Sequence, residues 1–381
     1  MKLKHIFTLI FTVLFFSNAF AQEEDVIHPA GLRFLDYTND LPKDLLFTKS
    51  AAFVSVLPKG GTSLRGDWKK LAQEAHKIFR QAGIDAVAYY NLEDVEAGTD
   101  ASATLAQELK KREIKNIIVI TQVMIRIGNK DSERYAILIT PFNGENTFIS
   151  HGQQAWKTVE KTSEKLLDQV YKSVAKSGLA KENHLISDVP EFFAGAKDMI
   201  RGKRFEGFAP DLKLDKLAVP KFQEIAVPDN RPGGLANKNL EKEVEKANAR
   251  VPRDNRSLEA VMQEYPYEYG PVDYDPTKED ALRTAGYQYV LLRLHSTGEH
   301  IKMMLEYDIQ ADETDYVTLM KDGAKMTLRT IPKDAPVYKY YIKHIYSGDV
   351  YLGTPWDADE AWEHALGHYI TNMKKELNVG R

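Results

Sequence analysis

The chain has 381 residues, no cysteine and a formal net charge of −4. Without thiols it cannot carry a disulfide framework, a cysteine nucleophile or a lipid anchor through cysteine. Its mild acidity argues against a nucleic-acid partner, which needs a concentrated basic face.

Residues 1–21 begin with Lys2, Lys4 and His5, continue through an apolar run over 6–16 and close on Ala19-Phe20-Ala21. A basic start, a short apolar stretch and an A-x-A site predict a secretory signal peptide cleaved before Gln22. The apolar run is shorter than the ~18 residues that span a bilayer. No later stretch is apolar enough, so the mature chain is expected to lack a transmembrane segment. Residues 1–21 hold two lysines and no acid, so their loss takes the charge from −4 to −6. The setting implied is a bacterial periplasm or cell envelope, with an extracellular location as the alternative.

Residues 22–43 are polar and proline-interrupted and read as a flexible lead-in. A first α/β domain is expected over 44–177. Its first strand, 51–57, stops at Pro58-Lys59-Gly60-Gly61. Asp67 then caps a helix. Trp68, Leu71, Ala72, Ala75, Ile78, Phe79 and Ala82 share one face of it, and Gly83 ends it. A strand at 85–90 and a helix at 101–112 lead to 116–120, NIIVI, an unbroken apolar run that predicts a strand buried on both faces. Its continuation over 123–127 alternates. Strands at 135–140 and 147–150 form a hairpin around Asn143-Gly144. An amphipathic helix is expected to begin at Trp156. The resulting order is β-α-β-α-β-β-β-α, a mixed sheet with helices packed on it.

Residues 178–215 mix glycine, proline and charge and read as a linker, with Phe192 and Phe193 docking from a short helix. A second domain is expected over 216–381, because the order recurs. Residues 222–234 echo 53–61, 237–250 form a polar helix, 257–265 stand where the second strand stood, and 279–294 match 105–120. A hairpin and a helix beginning at Trp362 close the unit. The second copy is more β-rich, with added strands at 301–308, 315–320 and 324–331. The fold class is therefore α/β (α+β), two tandem and duplicated domains. This element order resembles that of a small α/β domain found in exported envelope proteins, the amino-terminal domain of the TolB translocation protein family among them. Fold alone does not fix function.

Four stretches could carry chemistry. Gly61 and Gly66 have the spacing of a phosphate-binding loop, but Asp67 and Trp68 occupy the positions of its lysine and hydroxyl, so no countercharge for phosphate exists. His364 and His368 are one helical turn apart, a spacing that can serve a metal. Helix geometry places both on the solvent face, opposite a stripe of Trp362, Leu366, Tyr369, Met373 and Leu377. Tyr265, Tyr267, Tyr269 and Tyr274 lie among prolines in 265–276 and form a candidate surface for a protein or glycan partner. Packing of those rings over the second core is the alternative. Asp-Glu pairs are too numerous among 55 acids to rank as acid and base. No G-x-S-x-G, S-x-x-K or HExxH pattern is present.

No catalytic residue and no cofactor are assigned. The function expected is an exported, non-enzymatic envelope or periplasmic binding or assembly protein. A secreted hydrolase of glycan or peptide with its site between the domains is one alternative. A metal-binding protein using His364 and His368 is the other.

Overall fold

The computed structural model describes residues 35–57, 67–127, 130–150, 152–193, 200, 202–225, 235–310, 312–322 and 325–379. The first half contains β1 (Asp36–Thr38), β2 (Lys49–Ser55), α1 (Trp68–Ala82), β3 (Asp85–Asn91), α2 (Leu92–Val95), α3 (Thr99–Lys111), β4 (Ile114–Ile127), β5 (Lys130–Pro141), β6 (Gln154–Glu160) and α4 (Ser163–Lys176). Two short strands, β7 (Glu191–Phe192) and β8 (Arg204–Phe205), lie in the connection. The second half contains β9 (Lys216–Pro220), α5 (Leu235–Asn248), α6 (Val251–Met262), β10 (Tyr269–Val272), α7 (Glu279–Thr284), β11 (Tyr287–Thr297), α8 (Gly298–Met304), β12 (Asp315–Asp322), β13 (Lys325–Pro332), β14 (Pro336–His344), β15 (Val350–Tyr351) and α9 (Trp362–Glu376).

The protein is a mixed α/β fold with two large sheets. The first has the order β1-β6-β5-β4-β2-β3-β7 and the second β10-β9-β11-β14-β15-β8. Taken from β3 to β1 and from β10 to β8, the two sheets agree strand for strand. Successive pairs are parallel, parallel, antiparallel, antiparallel and parallel in the first and in the second. The outer edges differ. β7 covers β3, whereas among the described residues β10 pairs only with β9. On β10 the Glu268 and Val272 carbonyls accept from β9-side amides, so the alternate residue Pro271 faces outward. A proline there offers no N–H to an added strand.

Alternation along the strands divides three cores. Ala52, Val54, Ile118 and Ile120 meet α1 and α4 on the outer side of the first sheet. Leu217, Val219, Tyr340 and Ile342 meet α6 and α9 on the outer side of the second. The opposite faces share one core: Phe53, Ile117 and Val119 from the first sheet, Leu292, Leu294 and Tyr341 from the second, and residues of α2, α3 and α8 between them. The contact is close. A Cβ on Gly98 would lie 2.8 Å from a Leu294 methyl and 2.9 Å from the Arg293 carbonyl oxygen.

The first helix matches its sequence signals. The Asp67 side chain accepts from the Lys69 and Lys70 amides, and Gly83 takes φ 91°. Other expectations need correction. Trp156 does not start a helix. It lies in β6, paired with Ile139, and Thr162 caps the helix that follows by accepting from Lys165 N. The partner strand β5 takes up a Lys-Thr-Val stretch whose helical period was equally readable. Residues 36–38 of the expected lead-in pair as β1 with β6, and Leu41 is buried. In the second half, 257–265 belongs largely to α6, whose Leu258 and Met262 are buried at helical spacing. The strand in that place is β10. Residues 298–304 are helical, with Thr297 accepting from His300 N as the cap. Short apolar runs fit either period, and caps decide between them. The signal segment and the glycine loop 60–66 lie outside the described residues.

Candidate functional site

The tyrosine stretch does not form an exposed patch. Tyr265 and Tyr274 are only 6% and 8% exposed. Tyr265 belongs to the outer core of the second sheet, with Tyr267 and Tyr269 packed against that core. Tyr274 reaches the shared core. The rings touch edge to face, Tyr265 to Tyr267 at 5.8 Å and Tyr265 to Tyr269 at 6.0 Å. These tyrosines pack over the core, and that use of the residues leaves little of them to a partner.

The two histidines separate. His364 has a side chain 61% exposed, with Nδ1 3.5 Å from Asp359 Oδ1. His368 is buried at 5% exposure, not solvent-facing. The cause is a second cover on α9 that a single-stripe reading misses. Residues 356–360 lie along the helix and set Asp357 against Asn372, whose Nδ2 donates to Asp357 Oδ2 at 3.2 Å. His368 Nδ1 has no hydrogen-bond partner among the described residues. Burial lowers its pKa against the pull of Asp359 and Asp357. Among the described residues no three His, Asp or Glu side chains are placed to hold a metal ion.

Beneath this helix, Lys339 and Asp357 are buried together. Lys339 Nζ lies 2.7 Å from Asp357 Oδ1 and donates to the Leu352 carbonyl at 2.6 Å. Burial lowers the Lys339 pKa and raises that of Asp357, each against the partner's charge. A pair of this kind fixes local geometry more than it adds stability.

A convergence of polar side chains joins the two halves, and no motif marks it in the sequence. Asp100, in the first turn of α3, meets Lys343 of β14 at 2.6 Å, and Glu279 of α7 meets the same ammonium at 3.1 Å. Tyr274 donates its hydroxyl to Glu279 at 2.6 Å. Burial opposes the Lys343 charge, but Asp100 and Glu279 outweigh it and hold the pKa above the usual lysine value. A backbone bond from His295 N to Ala97 O, 2.7 Å, runs alongside.

A second group lies at the carboxyl ends of β2 and β3. Ser55 Oγ donates to Glu93 Oε1 at 2.5 Å. Asn91 Nδ2 lies 3.3 Å from His300 Nε2. His300 Nδ1 is 3.5 Å from Ser296 Oγ and 3.9 Å from Asp94 Oδ1. β2 lies between β3 and β4, both parallel to it, so the switch point at which open α/β sheets take ligands falls between β2 and β4. Burial, reinforced by Glu93, pushes the Glu96 carboxyl well above its ordinary range. Ser296 and Asp94 approach the same ring nitrogen, so the set is not a nucleophile-base-acid relay, which uses both nitrogens. Asp94, Asp100, Glu279, His300 and Lys343 are scattered over the chain with no local motif. The one sequence sign was a pair of lysines at alternate inward positions of an otherwise aromatic strand, VYKYYIKHI.

A cavity of about 730 Å³ lies at the β1 edge of the first sheet, lined by Leu41, Lys43, Trp156 and Lys176 among others. It shares none of the side chains that join the halves. No described helix is long and apolar enough to cross a membrane. No family model, no curated protein and no solved structure matches the chain.

Proposed function

We propose that the protein is an exported, non-enzymatic binding or assembly component of a bacterial periplasm or cell envelope, built on a duplicated α/β module. Export rests on the basic, apolar and A-x-A pattern of residues 1–21. Duplication rests on the strand-for-strand agreement of the two sheets. The observation that carries the functional reading is the state of the carboxylates between the halves. Asp100 and Glu279 are spent on Lys343. Groups paired in this way connect the two halves and are poorly placed for acid-base work.

The test is affinity capture of the mature protein from cell-envelope extract. Recurrent recovery of one envelope protein or glycan supports the reading. Recovery of none, with turnover of a glycan or peptide panel, sinks it. The hydrolase alternative has one observation in its favour: Glu93 accepts from Ser55 while burial raises the Glu96 pKa, and carboxyls of contrasting environment are what such enzymes use. On that reading Glu96→Gln abolishes turnover without unfolding the chain.

A further inference from the structure

His76 is a buried residue of α1, away from the groups that join the halves. Its Nδ1 lies 3.0 Å from the Tyr89 hydroxyl and its Nε2 3.0 Å from the Ser187 carbonyl oxygen. A carbonyl only accepts, so Nε2 carries the proton. Nδ1 of the neutral ring is then an acceptor, and Tyr89 donates to it. The two partners fix one tautomer.

Ser187 belongs to residues 178–193, which leave α4 and cross the first module. The Glu182 and Asn183 amides donate to Leu46 O, both at 3.0 Å. Asn183 Nδ2 donates to the Thr48 and Gly83 carbonyls. Asp188 pairs with Arg80. Arg112 grips Glu191 through two bonds of 2.8 Å. The crossing ends as β7 on the edge of β3, and Phe193 N donates to Tyr89 O. We infer that residues 178–193 form an acid-releasable strap over the β3 edge, with His76 as its sensor.

A second proton on the ring must go to Nδ1. It would take the acceptor away from the Tyr89 hydroxyl and set a cation inside a buried site. The charged groups facing the ring are Arg80 on its own helix, Asp85 at the start of β3 and Asp188 on the strap. Burial and Arg80 oppose the imidazolium, whereas the Ser187 bond, Asp85 and Asp188 favour it. The balance leaves the pKa below the ordinary value. Release of the strap gives the ring to water, where it titrates near ~6.5. Below that pH, each unit favours the released strap by up to about tenfold, until the closed site itself takes the proton. Release also removes β7 from Ala88 and Tyr89, leaving the β3 edge open to strand addition.

The test is amide exchange on the full mature chain, read as protection factors for Asn183 and Phe193, with Val119 of β4 as the internal reference. Between pH 6.5 and 5.5 the two strap amides should lose protection, by up to about fivefold, while Val119 keeps its own. That window stays above the range in which Glu191 titrates. His76→Gln can still donate to Ser187 and accept from Tyr89 but cannot titrate, so its strap protection should be independent of pH. A pH-independent wild type, a glutamine variant that keeps the wild-type loss, or nitrogen shifts placing the neutral proton on Nδ1 would each overturn the inference. The wild-type exchange and tautomer measurements decide it even if the variant fails to fold.

Discussion

The two halves use one sheet topology with different side-chain solutions, and the two tryptophans that look equivalent in sequence illustrate this. Trp156 follows Ala155, as Trp362 follows Ala361. Yet Trp156 sits in a strand and is buried among the residues outside the first sheet. Trp362 opens a helix, is only partly buried, and packs on Phe222 at 4.9 Å. The strand corresponding to β6 is the two-residue β15. The dipeptide match is thus not a structural match, while sheet order agrees where the sequence hardly does. Backbone pairing constrains strand order and direction, and many side-chain sets satisfy the same ladder.

The largest effects should come from that comparison. Trp156→Ala removes a buried ring and should cost roughly 3–5 kcal/mol in denaturant unfolding. Trp362→Ala should cost less, about 1–3 kcal/mol, because its ring is already part-solvated. Both variants should unfold in a single transition, since the sheets share a core. Two separated steps would mean the halves are independent after all.

Lys343→Ala leaves Asp100 and Glu279 without their cation and should also cost roughly 3–5 kcal/mol. Lys343→Met tests the same point with the side-chain volume kept, and recovery of most of the stability would show that packing, not charge, joins the halves.

Acid should act on a third scale. His295 stacks on Tyr338 at 4.1 Å, and burial, with Arg293 adding, pulls its pKa down to about 4. The folded value lies below the unfolded ~6.5, so its contribution is complete above pH 6.5 and is lost as the pH falls toward 4. The expected loss is on the order of 2–3 kcal/mol. His295→Gln should flatten that part of the stability profile. The smallest effect belongs to His364→Ala, expected within about 0.5 kcal/mol of the parent because the imidazole is exposed.

Much of the first half was readable because its signals are local. Asp67 and Gly83 bracket α1, and the NIIVI run is buried as an apolar strand should be. Residues 298–304 and 154–160 misled because a short apolar stretch fits both periods and only its neighbours choose. His368 misled for a related reason: α9 is covered on two sides, and one hydrophobic stripe reports only one of them. The groups that join the halves left no sign beyond the two lysines of β14, since Asp100 and Lys343 come together only across the folded chain.

By itself the sequence determined an α/β chain without cysteine, two successive runs of strands and helices, and the capped helix of the first module. Those follow from short-range chemistry: side-chain period, caps and turns. The tertiary structure alone decided that the two sheets share one core, that the tyrosines of 265–276 are spent on packing, and that Lys343 binds two carboxylates from distant helices. Each of these depends on which surfaces meet after the chain has closed on itself, and no local stretch of residues encodes that meeting.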